Sequence, residues 1–421
     1  MSLKSLTVVS IEDVVERQLC TGCGICEYME PNRYQMSDVT DLGRRPILRD
    51  VAAATSNAAL ESCPGVRLSH DTTQFPAGTI VALVPGWGPV LEVWEGYSGD
   101  EQIRLAGSSG GAATSLALHC LEHEGMAGVL HTGARKDVPY LNETVFSQSR
   151  EDLLSRAGSR YAPASPCDRL SRIEQESAPS VFIGKPCDVA AVHTARKGRP
   201  QLDQKLGLTL AFFCAGTPST KGLFELMKQV GVADPATVTF VKFRGNGWPG
   251  MWQVRWGTSD GETHEKEMTY ADSWGFLQKY RQWRCYICPD HTGEFADIAV
   301  GDPWYRPVEP GEAGKSLIIV RTERGREILK RAVASGKIVL ETSDPSLLPR
   351  SQPNLLQTRG SLWARLWALR VFGGAVPQFH GFSTFRFWLK LSMIDKVRSF
   401  TGTVKRIKTK QLNKRIKVNR P

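Results

Sequence analysis

A run of three cysteines near the beginning of the chain restricts the fold more than any other feature. Cys20, Cys23 and Cys26 have the C-x2-C-x2-C spacing, in which two intervening residues let the backbone curl so that the thiolates converge. Gly22 and Gly24 lie between them and permit the left-handed backbone turns that such a loop requires. The spacing therefore predicts three ligands of an iron–sulfur cluster.

The fourth ligand of this cluster does not follow at the usual distance. Bacterial ferredoxins place a Cys-Pro pair shortly after the triplet, whereas here Cys63-Pro64 lies 37 residues after Cys26. Cys63 is the expected fourth thiolate. A zinc site or a group of free buried thiols is the alternative, but zinc sites favour paired C-x2-C units, and no histidine lies near the triplet. We therefore favour one iron–sulfur cluster, held by the first cysteine set (Cys20, Cys23, Cys26 and Cys63).

Four further cysteines are more dispersed. Cys187 lies in "GKPCDVAA", Cys214 in "FFCAG", and Cys285 and Cys288 form a C-x2-C pair in "RCYICPD". These four residues, the second cysteine set, follow apolar strand-like runs, as is expected where strand ends converge around a buried cofactor. A redox-active C-x2-C pair with two core cysteines is an equally good interpretation of the residues alone.

Length and composition indicate a globular protein of several domains. A chain of 421 residues with 41% apolar residues is too long for one compact core. The start has no charged region followed by a long apolar one, and no run of about 18 apolar residues occurs. We expect a cytoplasmic protein whose cysteines are metal ligands in a reducing compartment. Cys120 and Cys167 are assigned no role.

The net charge of +10 is concentrated at the end of the chain. Residues 381–421 contain twelve Lys or Arg and one Asp, so the remainder sums to about −1. Apolar residues recur there at intervals of three to four and predict an amphipathic helix: Phe385, Trp388, Leu389, Met393, Val397 and Phe400. Such a helix can lie on an anionic membrane surface, and a core helix followed by a solvated tail is the alternative. Motifs of nucleic-acid recognition are absent.

The pattern of apolar runs predicts an α/β fold in four parts. Residues 1–72 form a small module with little core of its own. Within this module, "MSDVTDLGRRPIL" predicts a small hairpin or a loop. In residues 73–205, short apolar runs such as "TIVALV" and "GVLHTG" alternate with helical patterns. In residues 206–360, "TKGLFELMKQVGV" predicts an amphipathic helix, a hairpin is expected around Asp260 and Gly261, and "RGREILKRAVASGKIVLETS" predicts a helix followed by a strand. Residues 361–421 form an aromatic and then basic tail.

Two kinds of loop suggest a cleft lined for a cofactor. The glycine loop before a helical pattern can bring backbone amides close to a phosphate; it comprises Gly107, Ser108, Ser109, Gly110 and Gly111. A tight strand-to-helix turn is the alternative. Residues 158–166, "GSRYAPASP", and 243–252, "FRGNGWPGMW", add hydroxyls, cations and aromatic rings.

These motifs together resemble a known family. Across residues 18–306, "CTGCGIC", "CPG", "GSSGGAATSLALHCLE", "GSRYAPA", "GKPCDVAA", "FFCAGTPS" and "RCYICPDHTGEFADIAVGDPW" occur in the family's order. The chain resembles the coenzyme F420 hydrogenase/dehydrogenase beta subunits, whose relatives include 7-hydroxymethyl chlorophyll a reductase and ferredoxin-dependent divinyl chlorophyllide reductase. The loop at 243–252 and the basic tail resemble a bacterial subgroup.

The resemblance implies an iron–sulfur flavoprotein. A ferredoxin-like module would hold one 4Fe-4S cluster on the first cysteine set, and the second set would hold another near FAD. Residues 73–205 would bind the FAD. The implied flavin contacts are the glycine loop, Ser159, Arg160, Tyr161 and Lys185.

The implied function is a reductase. Electrons from a ferredoxin or similar donor would pass through the clusters to FAD and on to a small-molecule or sugar-type substrate in surface-polysaccharide metabolism. The basic tail separately suggests a position at the inner face of the membrane. The alternative is a non-catalytic electron-transfer subunit of a larger redox complex. Asp290, His291 and Asp302 are candidate proton donors, unless the two aspartates are turn or cap residues and the histidine is merely exposed.

Overall fold

Many of the helices and strands follow the apolar periodicity of the chain. They are seen in a computed structural model, which describes residues 6, 8–50, 56–258, 261–309 and 311–418. The strands are β1 Tyr34–Val39, β2 Gly43–Leu48, β3 Arg67–Ser69, β4 Glu92–Ser98, β5 Val129–Ala134, β6 Asn142–Ser147, β7 Ser180–Gly184, β8 Leu206–Phe212, β9 Val238–Lys242, β10 Met251–Gly257, β11 Thr263–Thr269, β12 Ile298–Gly301, β13 Ser316–Val320, β14 Ile338–Ser343 and β15 Gln378–His380. The α-helices are α1 Ile11–Glu16, α2 Ile25–Met29, α3 Ala58–Glu61, α4 Val84–Trp87, α5 Glu101–Ala106, α6 Ala112–His123, α7 Arg150–Ser155, α8 Ser171–Gln175, α9 Pro186–Ala195, α10 Pro200–Lys205, α11 Thr220–Gln229, α12 Tyr270–Leu277, α13 Trp283–Tyr286, α14 Glu323–Ala334, α15 Leu347–Ser351, α16 Pro353–Val371, α17 Thr384–Leu389 and α18 Met393–Lys410.

An eight-stranded mixed sheet forms the centre of the protein. Its order is β14-β4-β13-β12-β8-β7-β5-β6. The four strands β12, β8, β7 and β5 are parallel, and antiparallel strands flank them on both sides. Apolar side chains cover both faces, as is expected for parallel strands between layers of helices. The predicted α/β fold is confirmed.

Local sequence accounts for many of the elements. In α14, Ile328, Leu329 and Ala332 lie on one buried face, and the Thr322 side chain caps the helix by accepting the N–H of Gly325 at 3.1 Å. The strand predicted directly after this helix is β14. The hairpin predicted around residue 260 is β10–β11, whose turn at 259–260 lies outside the described residues.

The N-terminal module completes its core with distant parts of the chain. It contains α1, α2, α3 and the hairpin β1–β2, which lies where the sequence predicts a hairpin or a loop. Its apolar residues Ile11, Val14 and Leu19 share one cluster with Leu366 of α16 and Ile407 of α18. Strand β3 also pairs in parallel with β15. The last helices therefore pack directly on the module.

Two elements differ from the prediction. The run "TIVALV" at 79–84 lies in turns and the first residue of α4 instead of a strand, because Pro85 favours the first turn of a helix. The predicted amphipathic helix of the tail is divided into α17 and α18, because Ser392 caps a new helix there by accepting the Asp395 N–H at 3.1 Å. No helix in the described part of the chain is both long and apolar enough to cross a membrane.

Candidate functional site

The structure brings the first cysteine set together in the N-terminal module. Cys20 and Cys23 lie in the loop after α1, Cys26 lies in α2, and Cys63 follows α3; each is 8% exposed or less. Gly24 begins α2 with a φ of 91°, and a Cβ added there would lie 2.7 Å from the backbone nitrogen of residue 168. Only glycine fits this conformation and this close approach.

The thiols of the first set are electrostatic neighbours. Burial raises the pKa of Cys26 well above its ordinary value, and the other three thiols of the set add to the rise. Backbone amides also point at the sulfurs. The Gly22 N–H donates to Cys20 Sγ at 3.3 Å. Burial raises the pKa of Cys63, and the amides of Gly65 and Val66 oppose this rise because they stabilise the thiolate. Four converging thiols with amide donors suit a ligand set that carries negative charge.

The second cysteine set lies where the parallel strands end. Cys187 begins α9 directly after β7, and Cys214 follows the neighbouring parallel strand β8. Cys285 lies in α13, close enough for its Sγ to accept the Thr217 N–H at 3.4 Å, and Cys288 follows that helix. The carboxyl ends of parallel strands are the usual position of a ligand site in such a sheet.

The thiols of the second set also influence one another. Burial, and then the Cys285 thiol, raise the pKa of Cys214 to about 12. Burial is also the largest cause of the raised pKa of Cys187 and Cys288, and other thiols of the set contribute in both cases. Unlike the first set, these four cysteines are partly exposed.

The donor types of the two sets suit an iron–sulfur cluster of four irons. Among the described residues, no three His, Cys, Asp or Glu side chains are close enough to share one ion. Cysteine thiolates hold such clusters, whereas zinc sites commonly combine cysteine with histidine. The donor chemistry of both sets, four thiols and no histidine ring within the set, fits such a cluster better than it fits zinc.

The glycine loop meets the "GSRY" segment. The backbone N–H of Ser159 donates to Ser108 Oγ at 2.7 Å. The loop leads into α6, which begins at a left-handed Gly111 without a side-chain cap, so its first amides can bind an anion. A Cβ on Gly110 would lie 2.7 Å from the Ser316 nitrogen, so a tight packing turn also accounts for this glycine.

Two of the implied flavin contacts already have protein partners. The Arg160 guanidinium donates to Asn142 Oδ1 and to the carbonyls of Pro139, Leu141 and Val241 at 2.7–3.2 Å, and burial lowers its pKa to about 10. Lys185 Nζ lies 2.7 Å from a carboxylate oxygen of Asp188. Tyr161 instead borders the group around Arg244.

That group centres on Arg244, which sequence reasoning missed. Arg244 is buried and donates to both oxygens of Asp302 at 2.7 and 3.0 Å. Its guanidinium also lies over the Tyr270 ring at 4.4 Å and near Tyr161 Oη at 3.3 Å, while Trp248 Nε1 donates to Asp302 at 2.8 Å. The two motifs that hold it, "FRGNGWPG" and "GDPW", were visible in the sequence, but their pairing was not.

The three candidate proton donors lie in two places. Asp290 accepts the backbone N–H groups of residues 292, 293 and 294 as a buried turn residue, and burial and then Glu294 raise its pKa to about 6. His291 is buried instead of exposed: its Nδ1 donates to the Cys214 carbonyl at 2.8 Å, and its Nε2 has no partner among the described residues. Burial lowers the pKa of His291 to about 4. Asp302 belongs to the Arg244 group.

Comparison with known proteins identifies relatives of this chain. Residues 93–171 match the family model for the N-terminal part of the coenzyme F420 hydrogenase/dehydrogenase beta subunit, and residues 180–346 match the model for its C-terminal part. One subunit of the F(420)H(2) dehydrogenase of Methanosarcina mazei is 25% identical over 325 residues, which cover 75% of this chain and 83% of that protein. The beta subunit of the F420-dependent formate dehydrogenase 1 of Methanococcus maripaludis is 29% identical over 256 residues, 60% of this chain and 62% of that protein.

The fold also matches a solved structure. A chain of the F420-reducing NiFe hydrogenase complex from Methanosarcina barkeri superimposes with a TM-score of 0.52 and 23% identity, covering 67% of this chain and 94% of that one. The second cysteine set lies within the residues matched by the family models, and the first set lies before them.

Proposed function

This chain belongs to the coenzyme F420 hydrogenase/dehydrogenase beta-subunit family, and from that premise we propose that it is an electron-transfer subunit of a larger redox complex. In this proposal the first and second cysteine sets each hold one 4Fe-4S cluster, and the glycine loop and the start of α6 hold the phosphates of FAD. The observation that carries the proposal is the convergence of eight cysteines into two groups of four, each with mutually interacting thiols.

The protein's own residues would prepare these sites. Iron–sulfur clusters transfer single electrons, whereas a flavin can collect two and exchange a hydride. Around the first set, burial excludes water and backbone amides stabilise negative sulfur. Beside the second set, the N–H of His291 is held by the Cys214 carbonyl.

Two features support a protein partner. The relatives' names describe them as subunits, and the matched solved chain is part of a hydrogenase complex. The second cysteine set is partly exposed, whereas the first is buried. A partly exposed set offers a short path for electrons to a docked carrier or catalytic partner. We propose a ferredoxin or similar protein as the electron donor.

Iron, sulfide and flavin analysis of anaerobically purified protein tests the proposal. Two clusters require about eight irons per chain. Cys63→Ser and Cys214→Ser should each lower the iron content by about half, one from each set. Cys120→Ser is the control, since Cys120 is a buried cysteine that lies in α6 away from both sets. A colourless wild-type protein without iron and flavin would refute the assignment.

A reductase acting on an organic substrate is the second candidate. The group of Arg244, Asp302, Tyr161 and Tyr270 beside the glycine loop favours it, because a buried cation among aromatic rings can orient an anionic or ring-shaped substrate. A sugar-type substrate of surface-polysaccharide metabolism fits this candidate. Reduced protein that is reoxidised by a small molecule alone would favour the reductase, whereas reoxidation only by a protein partner would favour the electron-transfer role.

We also propose that the tail contacts the inner face of the cytoplasmic membrane. Met393, Ile394 and Val397 at the start of α18 are well exposed, and an arginine-lined cleft of about 420 Å³ lies between α16 and α18. Exposed apolar residues beside basic ones favour an anionic lipid surface. Ile394→Asp should reduce flotation with phosphatidylglycerol vesicles, and Lys408→Gln, which removes one tail charge elsewhere, should reduce it less. Equal flotation of all three proteins would remove the membrane contact.

A further inference from the structure

Two arginines are buried between the cysteine sets without a carboxylate partner. Arg45 in β2 is 3% exposed and Arg284 in α13 is 2% exposed. Within the described ranges, neither forms an ion pair with Asp or Glu, whereas the equally buried Arg244 and Arg359 both do. The buried Arg321 lacks an ion pair too, but the charges of Glu294 and Asp290 stabilise it, whereas thiols are the negative neighbours of Arg45. An unpaired buried charge is strongly destabilising. A different negative group must therefore offset the two guanidinium charges.

Arg284 connects the two cysteine-bearing loops directly. It precedes Cys285 in the chain, and its Nη1 donates to the Ile287 carbonyl at 3.1 Å, inside the C-x2-C pair of the second set. Its Nη2 donates to the Pro64 carbonyl at 2.8 Å, next to Cys63 of the first set. One guanidinium thus holds a loop of each set.

Arg45 makes a second connection of the same kind. Its Nη1 donates to the Arg44 carbonyl at 2.7 Å and lies 3.6 Å from the position of a Cβ on Gly22, within the first cysteine loop. Its Nη2 donates to Gln282 Oε1 at 2.9 Å, and the Gln282 carbonyl accepts the N–H of Cys285 at 3.1 Å. Arg45 therefore also reaches from the first set to the second.

The nearest negative groups are the thiolates. Burial lowers the pKa of Arg45, and the Cys20 and Cys285 thiols oppose this change, one from each set. Arg284 likewise favours the thiolates of Cys20 and Cys288. Each guanidinium thus interacts with one cysteine of each set.

We propose that Arg45 and Arg284 form a cationic bridge that offsets the charge of both cysteine-held clusters, fixes the two loops relative to each other and raises the clusters' reduction potentials. The bridge rests on the proposed function, since it requires both sets to hold clusters. An added electron increases the negative charge of a cluster, so a buried positive charge nearby stabilises the reduced form. Both arginines are positioning residues, because each contacts the ligand loops.

The test is a redox titration of the anaerobic full chain with dithionite, followed by the electron paramagnetic resonance signal of the reduced clusters. Arg45→Gln and Arg284→Gln remove the charge and keep a hydrogen-bond donor. Each should weaken the electron affinity of at least one cluster about tenfold, which lowers its midpoint potential by about 59 mV for one electron. Arg45→Lys and Arg284→Lys keep the charge and should stay near the wild-type potential.

Arg321→Gln is the matched control. Arg321 is equally buried; its Nη1 donates to the carbonyls of Trp87 and Pro89, and its Nη2 donates to the carbonyl and hydroxyl of Thr292. Among the described residues, none of these acceptors lies in the first cysteine loop or between Cys285 and Cys288. Unchanged potentials in both glutamine variants with full iron content would overturn the bridge. A wild-type chain without two clusters would refute the proposed function, and the bridge with it. If a glutamine variant loses iron, normal iron content in the lysine variant at the same position supports a charge effect. Equal loss of iron in the glutamine and lysine variants shows that the arginine only packs.

Discussion

Replacing Glu294 by glutamine tests a buried ion pair that holds three distant segments together. Glu294 is 3% exposed and accepts from Arg359 Nη1 of α16 and, at 2.8 Å, from the His70 ring after β3. Burial alone would raise the pKa of Glu294, but Arg359 and His70 hold it at about 2. Relative to an ordinary pKa of 4.5, the folded state therefore favours the carboxylate by about 3 kcal/mol at pH 7.

Glu294→Gln should therefore lower the free energy of unfolding by about 3 kcal/mol, a loss similar to that of other broken buried ion pairs. The stabilisation by the carboxylate is fully present above pH 4.5 and disappears as the pH falls toward 2, because the folded pKa is the lower one. The difference between wild type and variant should shrink to about 2 kcal/mol at about pH 3.5. Urea unfolding followed by tryptophan fluorescence at both pH values measures it.

Glu327→Gln is the control for this experiment. Glu327 pairs with Lys330 at 2.9 Å on the exposed side of α14, and exposed pairs of this kind contribute little. Its loss should leave the urea midpoint unchanged. If Glu294→Gln unfolds at the same urea concentration as Glu327→Gln, or if its deficit is independent of pH, the ion pair does not stabilise the fold as we argue.

Three further predictions follow from single residues. Gly24→Ala should lower both the melting temperature and the iron content, since its new Cβ would lie 2.7 Å from the backbone nitrogen of Asp168; normal iron content would contradict the fit. Burial lowers the pKa of His131 to about 4, so the protein should lose stability as the pH falls from about 6.5 toward 4. His131→Gln should remove this part of the change in the urea midpoint. An unchanged pH dependence in the variant would show that His131 is not its source. Asp302→Asn leaves Arg244 charged and buried and should cost about 3 kcal/mol by urea unfolding; a cost below about 1 kcal/mol would argue against the pair.

Elements with strong local periodicity were predictable. The amphipathic patterns of α11 and α14 specify their own buried faces. For residues 36–48 the sequence left a hairpin and a loop open, and the structure forms the hairpin β1–β2 there. The positions of Cys187 and Cys214 at strand ends were also predictable, because each follows an apolar run. These features depend on neighbours within a few residues.

Long-range pairings were not predictable from one sequence. Strand β4 lies between β13 and β14, which are more than two hundred residues away along the chain. Nothing in the spacing of Arg45 marks it as a neighbour of Cys285, and nothing in "FRGNGWPG" specifies that Arg244 meets Asp302. The run at 79–84 was misleading because an apolar run of that length is compatible with either a strand or a buried turn.

The packing of α16 and α18 on the N-terminal module has a consequence for biosynthesis. Leu19 and Cys20 share their apolar cluster with Leu366 and Ile407, which the ribosome adds more than three hundred residues later. Until those residues emerge, the cysteine loop is exposed to oxygen and to competing metals. Cluster insertion into this module is therefore expected at or after the end of translation. An assembly factor that shields the nascent cysteines could act on this site during the synthesis of nearly the whole chain.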